Sequence, residues 1–151
     1  MATAESLTAG LCAATVAGVP GASVVLRGGV IVYATDLKAS LAGVDESVLA
    51  SDGPVSRSTA AALSEGARRR CGADWGVGLT GVAGPDEQDG HPVGTVFVGI
   101  SGGSGTEVRE LALVGDRWAI RCAAVAAAVS GLRDRLARES GAGPGVVDPT
   151  R

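Results

Sequence analysis

Three side chains in this sequence could act together as a nucleophile and its base, and two of them are the only residues of their kind in the chain. Ser6 lies in Ala4-Glu5-Ser6-Leu7-Thr8-Ala9-Gly10, immediately before a run from Leu7 to Val19 that is rich in Ala and Leu. A serine there either caps a helix with its side-chain oxygen or projects from the turn as a nucleophile. Lys38 is the only lysine and Tyr33 the only tyrosine. Arginine supplies every other positive side-chain charge and cannot give up a proton at useful pH. A lysine can, once burial or a cationic neighbour lowers its pKa. A Ser-Lys pair is therefore chemically available, although Lys38 on a short helix is also explained as a solubilising charge. Tyr33 could orient the lysine or relay a proton, or it could end a strand with its ring in the core and its hydroxyl in water.

The sole histidine, His91, stands between Gly90 and Pro92 in a polar loop, which gives a Ser-His-Asp arrangement little support. Thr80-Gly81-Val82-Ala83-Gly84 could present backbone N–H groups to a phosphate or an oxyanion, as glycine-rich turns after strands do. It is neither Gly-x-Gly-x-x-Gly nor a P-loop, so a plain turn remains open. Cys12, Cys71 and Cys122 are widely spaced and include no Cys-x-x-Cys pair, which matches neither a disulfide framework nor a zinc site.

The elements that would position these residues follow from composition and periodicity. A chain of 151 residues, 46% hydrophobic and 19% charged, fits one domain that buries about two thirds of its unfolded surface. Aromatic residues are limited to Tyr33, Trp75, Phe97 and Trp118, so the core must be built from Ala, Val, Leu and Ile. The 24 glycines imply many tight turns and close backbone approaches. A net charge of −3 and a pI near 5.1 argue against nucleic acid or an anionic membrane as the main partner. Arg68-Arg69-Arg70 is the local exception, and it falls at a helix end where cations suit the dipole. With no leader and no long apolar run, the expected location is the cytoplasm.

Along the chain, Gly28 to Ala34 reads as a buried strand, Asp36 to Ala42 as a short helix carrying Lys38, and Glu46 to Ser51 as another capped by Asp45. Ser56 caps a helix to about Arg70, with Ala60, Leu63, Ala67 and Cys71 on one face. Trp75 to Thr80, Val93 to Ser101 and Glu107 to Val114 read as strands, the last two as a hairpin and the last half-exposed. Asp116 caps a helix of about five to six turns. Its apolar stripe is Ile120, Ala123, Ala124, Ala127, Leu132 and Leu136, with arginines opposite. The fold class is α/β, a single-domain α/β/α layered sandwich with a mixed sheet of about four to six strands. The domain spans 1–138 and a Gly/Pro-rich tail, expected to be disordered, spans 139–151.

Taken together, Ala4 to Gly10, Gly28 to Tyr33 with Lys38, Gly53-Pro54-Val55-Ser56, Thr80 to Pro85, Pro92 to Val96 and Gly115-Asp116-Arg117 with Arg121 resemble, in order and spacing, the CinA C-terminal domain family. The resemblance covers residues 2 to about 137. It implies a nicotinamide-nucleotide amidohydrolase, active without metal or cofactor in the pyridine nucleotide cycle. The carboxamide of nicotinamide mononucleotide would be hydrolysed to nicotinic acid mononucleotide and ammonia. By the same resemblance Ser6 is the nucleophile, Lys38 its base and Tyr33 the third member. Thr80, Gly81, Ala83, Gly84 and Arg121 are the expected substrate-binding residues, with the Thr80 hydroxyl a candidate oxyanion donor. A domain that binds a nucleotide or a partner without turnover is the alternative. The expected partners are a small-molecule nucleotide and further copies of the chain, as a dimer or trimer. The family motif commonly carries Cys and Gly where this chain has Leu7 and Ala9, and a helix and full strand before Ala-Glu-Ser where this chain has Met1-Ala2-Thr3.

Overall fold

Four residues, Ala2–Glu5, form β1, an interior strand of the sheet, and all four are buried. In a computed structural model that describes residues 1–141, β1 pairs in parallel with β2 (Gly28–Ile31) on one side and β3 (Gly76–Gly81) on the other. Antiparallel β4 (Thr95–Gly102) follows β3, and β5 (Gly105–Ala112) closes the edge, in the order β2-β1-β3-β4-β5. The mixed sheet of five strands falls within the four to six expected from the sequence. In β5 apolar and charged residues alternate and exposure alternates with them, as befits an edge strand whose far side meets water.

Helices cover both faces. On one lie α1 (Leu11–Ala17) and α5 (Arg117–Glu139), where Cys12, Ile120, Ala124, Ala128 and Leu132 pack on Val77, Leu79, Val96, Val98 and Ile100. On the other, α4 (Arg57–Cys71) crosses all five strands. Its Leu63 and Ala67 share a cluster with Ala2, Ala4 and Val32. Two short helices, α2 (Thr35–Ser40) and α3 (Glu46–Asp52), lead into it. The period-two alternation of β3 explains its glycines. Val77 and Leu79 face α5, while Gly78 lies under α4, where a Cβ would stand 2.5 Å from the Ser64 amide nitrogen. At Gly99 of β4 a Cβ would stand 2.2 Å from the Ala60 carbonyl oxygen. The missing side chains let α4 sit directly on the backbone of the sheet.

The expected caps are formed. Asp45, Ser56 and Asp116 accept from the amides of Ser47, Thr59 and Ala119 at 2.8, 3.1 and 2.8 Å. Arg68, Arg69 and Arg70 occupy the last turn of α4, beside the carbonyls that attract cations.

Several boundaries differ from the sequence expectation. The first helix begins at Leu11 rather than Leu7, because residues 6–10 are spent on turns. The strand expected over Gly28 to Ala34 ends at Ile31, since the next two carbonyls turn away from the sheet. In α5 the core face carries Arg135, and Leu136 is partly exposed. Arg135 is buried because the Ile100 and Gly105 carbonyls, Ser104 and Glu139 accept its guanidinium, which also stacks on Trp75. Of the tail expected over 139–151, Glu139 is the last residue of α5 and 142–151 lie outside the described residues. Among the described residues no helix is long and apolar enough to cross a membrane.

Candidate active site

The carboxyl ends of the three parallel strands converge on one cleft that opens to solvent. Such an end is where open α/β sheets place their ligands, because loops replace the ladder there and leave side chains and amides free. The residue after β1 contributes Ser6, the segment after β2 contributes Tyr33, the end of β3 contributes Thr80 and Gly81, and the loop after it contributes Val82, Ala83 and Gly84. Lys38 enters from α2.

Lys38 is 2% exposed, and its Nζ has three partners. They are Ser6 Oγ at 3.2 Å, the Val32 carbonyl at 2.9 Å and the Tyr33 carbonyl at 3.2 Å. An ammonium has three protons, and each finds an acceptor. When one proton is lost the carbonyls, which can only accept, must keep the two that remain. The lone pair is then left on the side of Ser6. Burial pushes the pKa of Lys38 below its usual 10.5, and the Asp36 carboxylate opposes that shift in part. The neutral amine that could take a proton from Ser6 is thus favoured by the same burial that brings the two groups together.

Ser6 does not cap α1. Its amide extends the β1–β3 ladder by donating to the Leu79 carbonyl at 2.9 Å, and its carbonyl receives the Ala9 amide at 3.0 Å. The cap is the neighbouring Glu5, fully buried on β1. Glu5 Oε2 accepts from the amides of Gly10 and Cys12 at 3.0 Å each, and Oε1 from Ala13 at 2.8 Å. Sequence reasoning missed it, because cap preferences concern residues adjacent to a helix and Glu5 reaches across a five-residue turn. The signal available was a charged residue among the small uncharged residues Ala2, Thr3 and Ala4. Within that turn Ala9 adopts φ 48° and Gly10 φ 96°, both left-handed. Burial and the Glu5 carboxylate push the Cys12 thiol up to about 12, which leaves it inert as a nucleophile.

The remaining expected site residues are placed as follows. Tyr33 gives Lys38 its carbonyl, while its half-exposed ring carries a hydroxyl that accepts from Arg117. Thr80 is buried and its hydroxyl donates to the Pro54 carbonyl at 2.6 Å, so its proton is committed and cannot serve an oxyanion. Gly81, Ala83 and Gly84 line the cleft. Arg121 does not. Its guanidinium holds the carbonyls of Leu7 and Thr8 at 2.9 and 3.0 Å and lies 5.3 Å from the Trp118 ring, bracing the turn behind Ser6. His91 also stands outside the lining. Among the described residues the amides of Leu7, Ala83 and Gly84, all on cleft-lining residues, have no acceptor.

A family model described as CinA C-terminal domain matches residues 1–136. The chain belongs to the CinA C-terminal domain family. The CinA-like protein of Frankia casuarinae is 50% identical over 137 residues, 91% of this chain and 32% of that protein. The CinA-like protein of Acidobacterium capsulatum is 44% identical over 137 residues, 90% of this chain and 33% of that protein. This CinA-family chain therefore spans about a third of the length of these curated relatives. Among solved structures, the competence/damage inducible protein CihA from Agrobacterium tumefaciens superposes with a TM-score of 0.84 at 34% identity, covering 88% of this chain and 82% of that one. The competence-damaged protein (CinA) superfamily protein from Klebsiella pneumoniae 700603 gives 0.88 at 30%, covering 91% and 86%.

Proposed function

We propose that this CinA-family domain hydrolyses the carboxamide of nicotinamide mononucleotide, using Ser6 as nucleophile and Lys38 as its base. The observation that carries the reading is the 3.2 Å approach of a buried lysine amine to a serine hydroxyl at the floor of an open cleft. Two of the three Nζ contacts are carbonyls, so deprotonation leaves the base aimed at the nucleophile.

The steps follow from that placement. Neutral Lys38 takes the Ser6 proton as Oγ attacks the carboxamide carbon, and negative charge gathers on the former carbonyl oxygen. The free amides of Leu7, Ala83 and Gly84 are the donors at hand for that oxygen. Collapse of the tetrahedral intermediate breaks the C–N bond, and ammonia departs with the proton returned by Lys38. Water then gives a proton to Lys38 and attacks the acyl-enzyme. Its ester bond breaks, the acid leaves, and Ser6 regains its proton.

The test is stoichiometric. Purified protein incubated with nicotinamide mononucleotide should release ammonia and nicotinic acid mononucleotide one for one, at a rate indifferent to a metal chelator. Loss of turnover on chelation would remove the metal-free mechanism, and an intact substrate after prolonged incubation with folded protein would remove the activity.

A further inference from the structure

We infer that Arg117, at the first position of α5, binds the anionic group of the substrate, which on the reading above is the 5′-phosphate of the nucleotide. Arg121, the arginine expected there from the sequence, is already occupied, since Nε and one terminal nitrogen hold the carbonyls of Leu7 and Thr8 outside the cleft lining. Apart from Lys38, Arg117 is the only cation among the residues that line the cleft.

Its guanidinium bridges two walls of the cleft, donating through one terminal nitrogen to the Gly84 carbonyl and through the other to the Tyr33 hydroxyl. A guanidinium carries five N–H donors in a planar fork, and these contacts use two of them. None of the ion pairs among the described residues includes Arg117. Asp86, the one carboxylate on the cleft lining, is not paired with it either. A cation held in place by two neutral acceptors, with donors to spare and no counterion, is prepared for an anion that arrives with the ligand. Lys38 cannot take that part, because all three of its partners are protein atoms buried at the cleft floor. Arg117 thereby adds an anion-binding group to the cleft that holds Ser6 and Lys38. A phosphorylated carboxamide can engage both, and its unphosphorylated counterpart lacks the group that Arg117 would hold.

Two measurements on the full chain test this. In the first, kcat/KM is compared for nicotinamide mononucleotide and for nicotinamide riboside, which lacks the phosphate. The wild type should favour the mononucleotide by about tenfold to a hundredfold, the range expected from charge-assisted hydrogen bonds. Arg117→Ala should narrow that ratio at least tenfold, Arg117→Lys should narrow it less, and Tyr33→Phe should keep most of it. In the second, calorimetry follows binding of ribose 5-phosphate, which needs no turnover. Arg117→Ala should weaken that binding at least tenfold. If neither carboxamide is hydrolysed while ribose 5-phosphate binds in an Arg117-dependent way, the amidase reading fails and the anion site stands. If Arg117→Ala slows both carboxamides equally, or if ribose 5-phosphate binds the wild type and the variant alike or neither, Arg117 is not the anion-binding residue.

Discussion

Lys38 Nζ stands 3.2 Å from Ser6 Oγ, and the carbonyls of Val32 and Tyr33 on its other sides decide which face of the amine the hydroxyl meets. A lysine held this way is a base once it is neutral and an inert ammonium before that. Its burial therefore has a kinetic consequence.

On the Ser-Lys reading, kcat/KM should rise with pH as Lys38 loses its proton, with a midpoint below the 10.5 of an ordinary lysine. Lys38→Arg, which stays cationic, should show no such limb and at most about a thousandth of the activity. A profile that falls across the neutral range, or a limb at or above 10.5, would count against Lys38 as the base. Stability carries the same sign. The folded pKa lies below that of the unfolded chain, so the cost of burying the ammonium is fully present below the folded pKa and is relieved as pH rises toward 10.5. Urea midpoints should climb over that window in the wild type and lose the climb in Lys38→Met.

Glu5 fixes the turn that carries Ser6 by accepting three amides from a fully buried position. Glu5→Ala strands those donors and should cost about 2–4 kcal/mol in urea unfolding. Glu5→Gln keeps one oxygen and should cost about 1–2 kcal/mol. In Glu5→Gln kcat should fall more than KM rises, because Ser6 loses its aim while the rest of the cleft is intact. Wild-type stability together with wild-type kcat in Glu5→Gln would contradict this role.

Ala9 has φ 48°, a left-handed conformation that costs a residue with a Cβ about 1–2 kcal/mol relative to glycine. Ala9→Gly relieves that strain but loosens the unfolded chain by about 0.4–1 kcal/mol. The net expectation is a gain of about 0.5–1 kcal/mol, read as a raised urea midpoint at unchanged slope. A lowered midpoint would show that the turn does not strain Ala9.

The parts of this fold that were legible in the sequence are those set by local chemistry. Asp45, Ser56 and Asp116 cap their helices because each sits next to the amides it serves. The glycines in the strand read over Trp75 to Thr80 fit the close backbone approaches expected of so many glycines, and α4 is what approaches Gly76 and Gly78. Ser6, Lys38 and Tyr33 attracted notice by type and uniqueness, and the fold gathers them at one cleft. What escaped were contacts between residues distant in sequence or displaced by a turn. Glu5 caps a helix that begins six residues on, and Arg135 is buried because carbonyls of another element receive it. Arg117 and Arg121 lie one helical turn apart on α5, yet one reaches the cleft and the other braces the turn behind Ser6. Periodicity alone does not say which arginine faces a ligand.

The most direct measurement is ammonia release from nicotinamide mononucleotide by wild type, Ser6→Ala and Lys38→Ala, each shown to be folded by its urea transition. The account predicts turnover in the wild type and a loss of about a thousandfold or more in both variants, since neither half of the pair works without the other. Turnover that survives Ser6→Ala would contradict it.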